Sequence, residues 1–224
     1  MKTVVQALAF SVVGFVLIAA LLFGPAGTFD YWQAWLFIAV FAILGTVYTI
    51  YLGLKNPEVL RRRMHSGPTA ETRPAQKLIV LGIYVWFFGV AVLSALDHRF
   101  GWSQVPTAVA LLGNALVAIG LGITMLVVIQ NSYAAATITV EAGQEVVSTG
   151  LYALVRHPMY FGALIMMIGL PIALGSYWAL ILIAPGVPVL ALRILDEEKA
   201  LRHELAGYTE YTQQVRYRLM PYVW

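Results

Sequence analysis

The residue types that could do chemistry lie in two polar stretches near the end of an apolar chain. The first stretch contains Arg156, His157 and Pro158. Proline suits the first position of a helix, where its missing N–H would be unpaired anyway, so a helix is predicted to begin beside His157. The free N–H groups of that helix would suit the acceptors of a zwitterionic ligand. The alternative is structural, with Arg156 as an interfacial anchor and His157 as a helix cap.

The second stretch runs from Arg193 to Glu198. Arg193 and Glu197 are four residues apart and therefore share one face of a helix. An ionisable group at the end of an apolar run is costly, which makes Arg193 a functional candidate with a carboxylate partner. A carboxylate suits a ligand that carries a sulfonium and an ammonium, whereas a guanidinium suits an anionic group. The alternative is an interfacial ion pair.

A helical hairpin is predicted between the two stretches. Residues 158–195 are apolar but are broken at Gly175 and Ser176, which predicts helices over 158–174 and 177–195. A hairpin brings its two ends together. We therefore expect both polar stretches to lie at the same end of the protein.

The composition places these elements in a membrane. The 224 residues are 60% hydrophobic and 11% charged, with a mean hydropathy of +0.79, too apolar for a soluble domain. With the hairpin, six transmembrane helices are expected, so the predicted fold is an all-α polytopic bundle forming one domain over 1–224. Besides the hairpin, the segments long enough to span a bilayer are 4–23, 33–54, 77–96 and 106–129.

The charge distribution predicts the orientation. Thirteen of the 14 basic residues fall on one side of the predicted topology and only Arg99 on the other, so the positive-inside rule predicts that both termini and both polar stretches are cytoplasmic. The expected location is the plasma (inner) membrane. The residues on the predicted inner side are Lys2, Lys55, Arg61, Arg62, Arg63, Arg73, Lys77, Arg156, Arg193, Lys199, Arg202, Arg216 and Arg218.

Several function classes are excluded. The chain has no cysteine, so thiolate catalysis and cysteine metal sites do not arise. It has no glycine-rich dinucleotide fingerprint, no phosphate loop and no His pair at helical spacing, and no metal is expected. Because topology accounts for the basic excess, no nucleic-acid partner is needed.

Over residues 130–221, an ordered set of short motifs is similar to the isoprenylcysteine carboxyl methyltransferase family and its relatives among phospholipid methyltransferases. No motif specific to the family occurs in 1–105, so 106–224 is expected to form the family-like core and 1–105 to supply N-terminal spans. The motifs are Gln144-Glu145-Val146-Val147, Gly150-Leu151-Tyr152, Arg156-His157-Pro158-Met159-Tyr160, Arg193 with Glu197-Glu198, Gly207-Tyr208 with Tyr211, and Leu219-Met220-Pro221.

This resemblance implies a methyltransferase whose S-adenosylmethionine lies in a cytosol-facing pocket and whose lipophilic acceptor arrives from the bilayer. Arg193 would orient the acceptor and, with Glu197, is a predicted catalytic residue. Tyr208 and Tyr211 would help to cover the pocket. The cofactor contacts implied are Gln144, Glu145, Val146, Val147, Tyr152, His157, Pro158, Met159, Tyr160 and Glu197.

The acceptor itself stays open at this point. Methyl transfer needs in-line alignment and a desolvated nucleophile more than acid–base groups. A carboxylate or thiol is the working hypothesis. An ammonium acceptor would first have to lose a proton, for which His157 and Glu197 are the nearest candidates. The alternatives in other classes are a membrane NADPH-dependent reductase of sterol-reductase-like architecture and a small transporter. The transporter is disfavoured because nearly all charged residues lie at one edge of the membrane, whereas a transport path would need charges near its midplane.

Three further features favour structural roles. Gly120 and Gly122 are expected to let helices approach closely. The cluster Arg61-Arg62-Arg63 is expected to set topology, with attraction of anionic lipids as a by-product. Asn131, just after the fourth span, either borders the pocket or ends a helix.

Overall fold

The chain folds into helices throughout its described part. A computed structural model describes residues 2–64, 71, 73–134, 140 and 143–224. Within these ranges there is no strand, and the predicted all-α polytopic fold class is confirmed. The α-helices are α1 (Lys2–Ala26), α2 (Trp32–Lys55), α3 (Pro57–Met64), α4 (Pro74–Phe100), α5 (Thr107–Gln130), α6 (Pro158–Ala173), α7 (Ile183–Glu204) and α8 (Tyr208–Gln214), with 3-10 helices at Gly150–Ala153 and Trp178–Leu182.

Five of the helical segments are long and apolar enough to cross a membrane: α1, α2, α4, α5, and α7 with the 3-10 helix before it. The sixth predicted span, α6, is apolar but has 16 residues, fewer than the roughly 20 that a bilayer requires. As predicted, α6 begins at Pro158. The prediction that the last span ends at 195 was short, because α7 continues to Glu204 and so carries the whole second polar stretch.

The long helices pack in a closed ring. In order around the ring, α1 contacts α2, α2 contacts α5, α5 contacts α6, α6 contacts α7, α7 contacts α4, and α4 returns to α1. Helix α1 thus packs against both α2 and α4.

The contact between α5 and α6 is the closest in the ring. A Cβ on Gly113 would overlap the backbone of Ile172 and Ala173, and one on Gly120 would meet the carbonyl oxygen of Gly162 at 2.5 Å. Small residues on both helices thus let the two backbones touch. The predicted packing role is confirmed for Gly120 and is wrong for Gly122, whose Cβ would meet no atom within 4 Å.

A buried carboxylate closes the bundle at the end opposite the two polar stretches. Asp97, near the end of α4, is 1% exposed. Its Oδ2 accepts hydrogen bonds from the hydroxyls of Ser176 at 2.5 Å and Ser103 at 2.6 Å. Gly175, in the predicted turn, has a φ of 73°, a conformation that favours glycine. The α6–α7 turn is therefore tied to α4.

Candidate active site

The first polar stretch is fixed by residues near the end of the chain. The backbone N–H groups of Arg156 and His157 donate to the carbonyl oxygens of Tyr217 and Arg218, each at 2.9 Å. This pairing places the start of α6 against residues 215–224. His157 is the N-cap residue of α6, as the structural alternative predicted, but its side chain makes no capping hydrogen bond to the helix.

Glu198 is the centre of a buried charge cluster. Its Oε1 pairs with Arg156 Nε at 2.7 Å and lies 3.3 Å from His157 Nε2, while its Oε2 pairs with Arg218 Nε at 3.0 Å. Arg156 is 6% exposed and paired with Glu198, which does not fit the alternative of an interfacial anchor that extends toward solvent. The resemblance included Glu198 only as the neighbour of Glu197. Nothing in the spacing indicated which of the two carboxylates would be buried among cations.

Glu197 and Arg193 meet through a tyrosine of the facing helix. Arg193 Nε donates to Tyr160 Oη at 3.0 Å, and the Tyr160 hydroxyl in turn donates to Glu197 Oε2. His157 Nδ1 lies 4.0 Å from Glu197 Oε1. The two polar stretches therefore meet at one end of the hairpin, as predicted. Arg193 and Glu197 interact through Tyr160 and not as a simple interfacial ion pair.

Arg193 is also held by residues that precede α4. Its Nη1 is 3.1 Å from Glu71 Oε1 and donates to Gln76 Oε1 at 2.7 Å. The amide nitrogen of Gln76 donates to Asp196, and this pair links the same segment to α7 again. Glu71, Gln76 and Arg193 are all buried. Sequence analysis missed Glu71 and Gln76, because they lie more than 110 residues from Arg193 in a region without a family motif.

All predicted site residues line one cavity of about 830 Å³ that is partly open to solvent. The structure therefore places the two stretches around a common space, while the assignment of individual roles remains a prediction. The predicted residues on the cavity wall are Gln144, Glu145, Val146, Val147, Tyr152, His157, Pro158, Met159, Tyr160, Arg193 and Glu197. Asn131 also lines it, as one of its two interpretations predicted.

Three tyrosines form an aromatic wall of this cavity. The Tyr152 hydroxyl accepts a hydrogen bond from Asn131 Nδ2 at 3.1 Å, and the Tyr211 hydroxyl donates to the Tyr152 carbonyl at 2.7 Å. Burial, opposed by the Asn131 hydrogen bond and assisted by the Glu197 carboxylate, raises the pKa of the Tyr152 phenol to about 12. The buried Tyr208 hydroxyl has no hydrogen-bond partner among the described residues. Burial also raises the pKa of the Tyr208 phenol above its ordinary value, so Tyr152 and Tyr208 are both neutral at physiological pH. The Tyr208 hydroxyl can therefore donate a hydrogen bond to a ligand.

A second, apolar cavity holds about 1630 Å³ of empty space, part of which is open solvent. Residues of helices α2 to α7 line this cavity, and Phe37, Phe87 and Met167 are among them. Tyr160 lines this cavity as well as the polar one. One side chain thus stands between a polar chamber and an apolar chamber large enough for a hydrocarbon chain.

Comparison with known proteins agrees with this arrangement. Residues 108–206 match the model of the phospholipid methyltransferase family, a family of integral membrane methyltransferases, which confirms the predicted resemblance over this region. None of the curated proteins matches the chain. Over these residues the chain is similar to a family of membrane methyltransferases, and the match supports neither the reductase nor the transporter alternative.

Proposed function

We propose that the protein transfers a methyl group from S-adenosylmethionine to a lipophilic acceptor held in the apolar cavity. The observation that carries this proposal is the position of Tyr160 on the walls of both cavities. A water-soluble donor in the polar cavity would meet a hydrophobic acceptor in the other at this side chain. Two binding spaces of opposite polarity that share a wall are what a transfer from a polar donor to a lipid requires.

The polar cavity offers groups that suit the donor. The Glu197 carboxylate suits a cationic ligand, and the Tyr208 hydroxyl provides a buried donor that no described residue uses. Tyr152 and Tyr211 present aromatic surface for an adenine ring. Gln144 to Val147 would complete the site from the loop after α5. These residues fit S-adenosylmethionine better than a dinucleotide phosphate, since no lysine or arginine other than Arg156 and Arg193 lines the described part of the cavity.

The protein contributes orientation and exclusion of water to the reaction. When bound, S-adenosylmethionine supplies an electrophilic methyl group on its sulfonium. Arg193 and Glu197, linked through the Tyr160 hydroxyl, would hold the acceptor at the boundary between the cavities. The apolar wall keeps the nucleophile desolvated, which favours the transfer. Where the acceptor is an ammonium group, His157 and Glu197 are the bases within reach of the cavity.

The acceptor class proposed is lipophilic, with an isoprenylcysteine-like carboxylate or a related lipid, isoprenoid or thiol as candidates. Glu71 offsets part of the positive charge of Arg193, so the site does not by itself demand an anionic acceptor. The cluster of basic residues at the site end supports a cytoplasmic orientation by the positive-inside rule. We therefore propose that the site opens to the cytosol, in the plasma (inner) membrane.

Ligand binding by the purified full chain in detergent tests the donor. S-adenosylmethionine or S-adenosylhomocysteine should raise the melting temperature and bind with a Kd on the order of micromolar, about −8 kcal/mol, whereas NADPH should have no effect. Binding of NADPH alone would favour a reductase. Absence of binding by either adenosyl ligand in a folded sample would overturn the proposal.

Two substitutions test the site. Arg193→Ala should abolish methyl transfer while leaving cofactor affinity nearly unchanged, because Arg193 is proposed to face the acceptor. Glu197→Ala should weaken cofactor binding about ten-fold or more, since a charge-assisted hydrogen bond is worth about 1.5–3 kcal/mol. Full activity of both variants would show that the roles are misassigned. Tritiated methyl transfer into a lipid extract of the host would then identify the acceptor.

A further inference from the structure

Three consecutive arginines lie in the last turn of α3, and each of them has different surroundings. Arg61 is exposed and pairs with Glu58 at 2.6 Å. Arg62 Nη1 donates to the Ser132 carbonyl oxygen at 3.3 Å. Arg63 instead turns inward and lines the apolar cavity. The cluster expected to set topology therefore contains one member that faces the interior of the helix ring.

Arg63 also lines a third cavity, of about 760 Å³, between α1, α2 and α3. The other residues of this cavity include Tyr48 and Thr49 of α2 and Ser11 of α1. Arg63 is thus shared by the apolar cavity and by a smaller, partly polar space beside it. Tyr160 shares the apolar cavity with the proposed donor site. One chamber consequently has a guanidinium on one part of its wall and the proposed reaction site on another.

The surroundings of Arg63 favour an anion. Its Nη1 donates to the Ala134 carbonyl oxygen at 3.0 Å, which uses one of five N–H donors. Among the described residues that line the second and third cavities there is no aspartate or glutamate, and no described carboxylate lies within ion-pair distance of Arg63. The buried Tyr48 hydroxyl likewise has no partner in the described ranges. An arginine beside an apolar chamber is costly unless an anion accompanies it.

We propose that Arg63, assisted by the Tyr48 hydroxyl, binds the anionic headgroup of an amphiphile whose chain occupies the apolar cavity, and that this amphiphile is the methyl acceptor. A second polar atom of the amphiphile, lying at Tyr160, forms the new bond to the methyl carbon while the bond from that carbon to the donor sulfur breaks. The headgroup chemistry is that of a phosphate or a carboxylate, both of which a guanidinium binds through two parallel hydrogen bonds. The identification of the acceptor rests on the proposed function, whereas the headgroup site does not. Arg63 lies outside the residues 108–206 that match the family, so it would set specificity through the N-terminal half.

Binding of matched amphiphiles to the full chain in amphipol tests the headgroup site. The probes are dodecyl phosphate, dodecanoate, dodecanol and inorganic phosphate. The wild type should bind at least one of the two anionic amphiphiles ten-fold or more tightly than dodecanol. Inorganic phosphate should bind much more weakly than dodecyl phosphate, since it lacks the chain. Equal affinity for anionic and neutral amphiphiles, or for free phosphate and dodecyl phosphate, would overturn the proposal.

The variants locate the effect. Arg63→Gln should remove most of the preference for the anionic amphiphile, and Tyr48→Phe should reduce it two- to five-fold. Arg61→Gln, the matched control on the exposed side of α3, should keep it. Should Arg63→Gln fail to fold, Arg63→Lys keeps the positive charge but lacks the planar guanidinium. It should therefore lower the preference for the anionic amphiphile only partially. Retention of the full preference by the folded Arg63 variants would refute the assignment.

Methyl transfer distinguishes failure of this proposal from failure of the proposed function. With an accepted lipid, Arg63→Gln should raise KM for an anionic acceptor and leave cofactor affinity unchanged. If the wild type transfers methyl groups and Arg63→Gln leaves KM for the anionic acceptor unchanged, the headgroup site is wrong and the proposed function stands. If anionic amphiphiles bind through Arg63 but no methyl transfer to any acceptor is found, the proposed function fails and the headgroup site stands.

Discussion

At the scale of single residues, Arg193 is held in place from three directions. Tyr160 and Glu197 fix it within the hairpin, while Glu71 and Gln76 reach it from the segment that leads into α4. A guanidinium held by several hydrogen bonds has little rotamer freedom. The proposed orientation of Arg193 toward the acceptor therefore depends in part on Glu71 and Gln76, to which no catalytic role is assigned.

Gln76→Leu should lower kcat about ten-fold or more, because an unpaired buried donor costs about 1–3 kcal/mol and Arg193 would turn away. Cofactor affinity should change little, since Gln76 does not line the polar cavity. Methyl-transfer kinetics and cofactor titration measure the two effects. The exposed Gln104 at the opposite end provides the control Gln104→Leu. Unchanged kcat in Gln76→Leu would show that Arg193 needs no such support.

Glu198→Ala should destabilise the protein strongly, because it leaves Arg156 and Arg218 without their shared carboxylate. Breaking a buried ion pair lowers the free energy of unfolding by about 3–5 kcal/mol. The cofactor should also bind more weakly, because the start of α6 is no longer held by the ion pair between Arg156 and Glu198. Melting temperature and cofactor affinity report the two losses. Glu204→Ala, at an exposed position of the same helix, should have neither effect. Equal behaviour of the two variants would contradict the proposed role of the cluster.

At the scale of elements, the α5–α6 contact positions the first polar stretch. Helix α6 carries His157 at its start and Tyr160 one turn later. Since α6 lies backbone to backbone on α5, a small change in that interface would move both side chains. The glycines of α5 thus act on the site through the placement of a helix.

Gly113→Ala should destabilise the protein by about 1–3 kcal/mol, because the added methyl group overlaps the α6 backbone and overpacking costs about that much. Gly122→Ala is the matched control, since its Cβ meets no atom within 4 Å. Alanine is up to about 1 kcal/mol better than glycine inside a helix, so this variant should be neutral or stabilising. Thermal unfolding in detergent compares them. A melting temperature of Gly113→Ala at or above that of the wild type would disprove the close approach.

At the scale of the whole molecule, the two ends of the bundle differ in structure. The site end holds the charge clusters and the polar cavity, whereas the opposite end is closed by Asp97 with two serine hydroxyls. Exposed aromatic residues surround that closed end, including Trp102 and Trp178. Such residues suit a headgroup belt. The closed end therefore contributes to stability without lining the polar cavity.

Asp97→Asn should lower the melting temperature without changing cofactor affinity. The amide oxygen accepts fewer hydrogen bonds than the carboxylate, so one serine hydroxyl loses its partner at a cost of about 1–3 kcal/mol. Asp30→Asn, an exposed substitution at the same end, controls for the charge. Thermal unfolding and cofactor titration are the measurements. A large change in cofactor affinity would show that the two ends are coupled.

The sequence by itself determined the membrane class, the helical hairpin and the residues around the polar cavity. These follow from local causes: hydropathy over the length of a bilayer, a proline at the start of α6 and a glycine at its end, and motifs that run in order along the chain. Glu197 and His157 could be placed together because a hairpin joins its own ends.

Only the tertiary structure decided which residues hold Arg193 and that Arg63 lines the apolar cavity. It also decided that Glu198 pairs with buried cations while Glu197 accepts from Tyr160 at the polar cavity. Glu71 and Gln76 reach Arg193 across more than 110 residues, and the apolar cavity is lined by residues of six helices, α2 to α7. Each of these depends on which helices become neighbours. That choice is made by packing between distant segments, which no local pattern of residue types encodes.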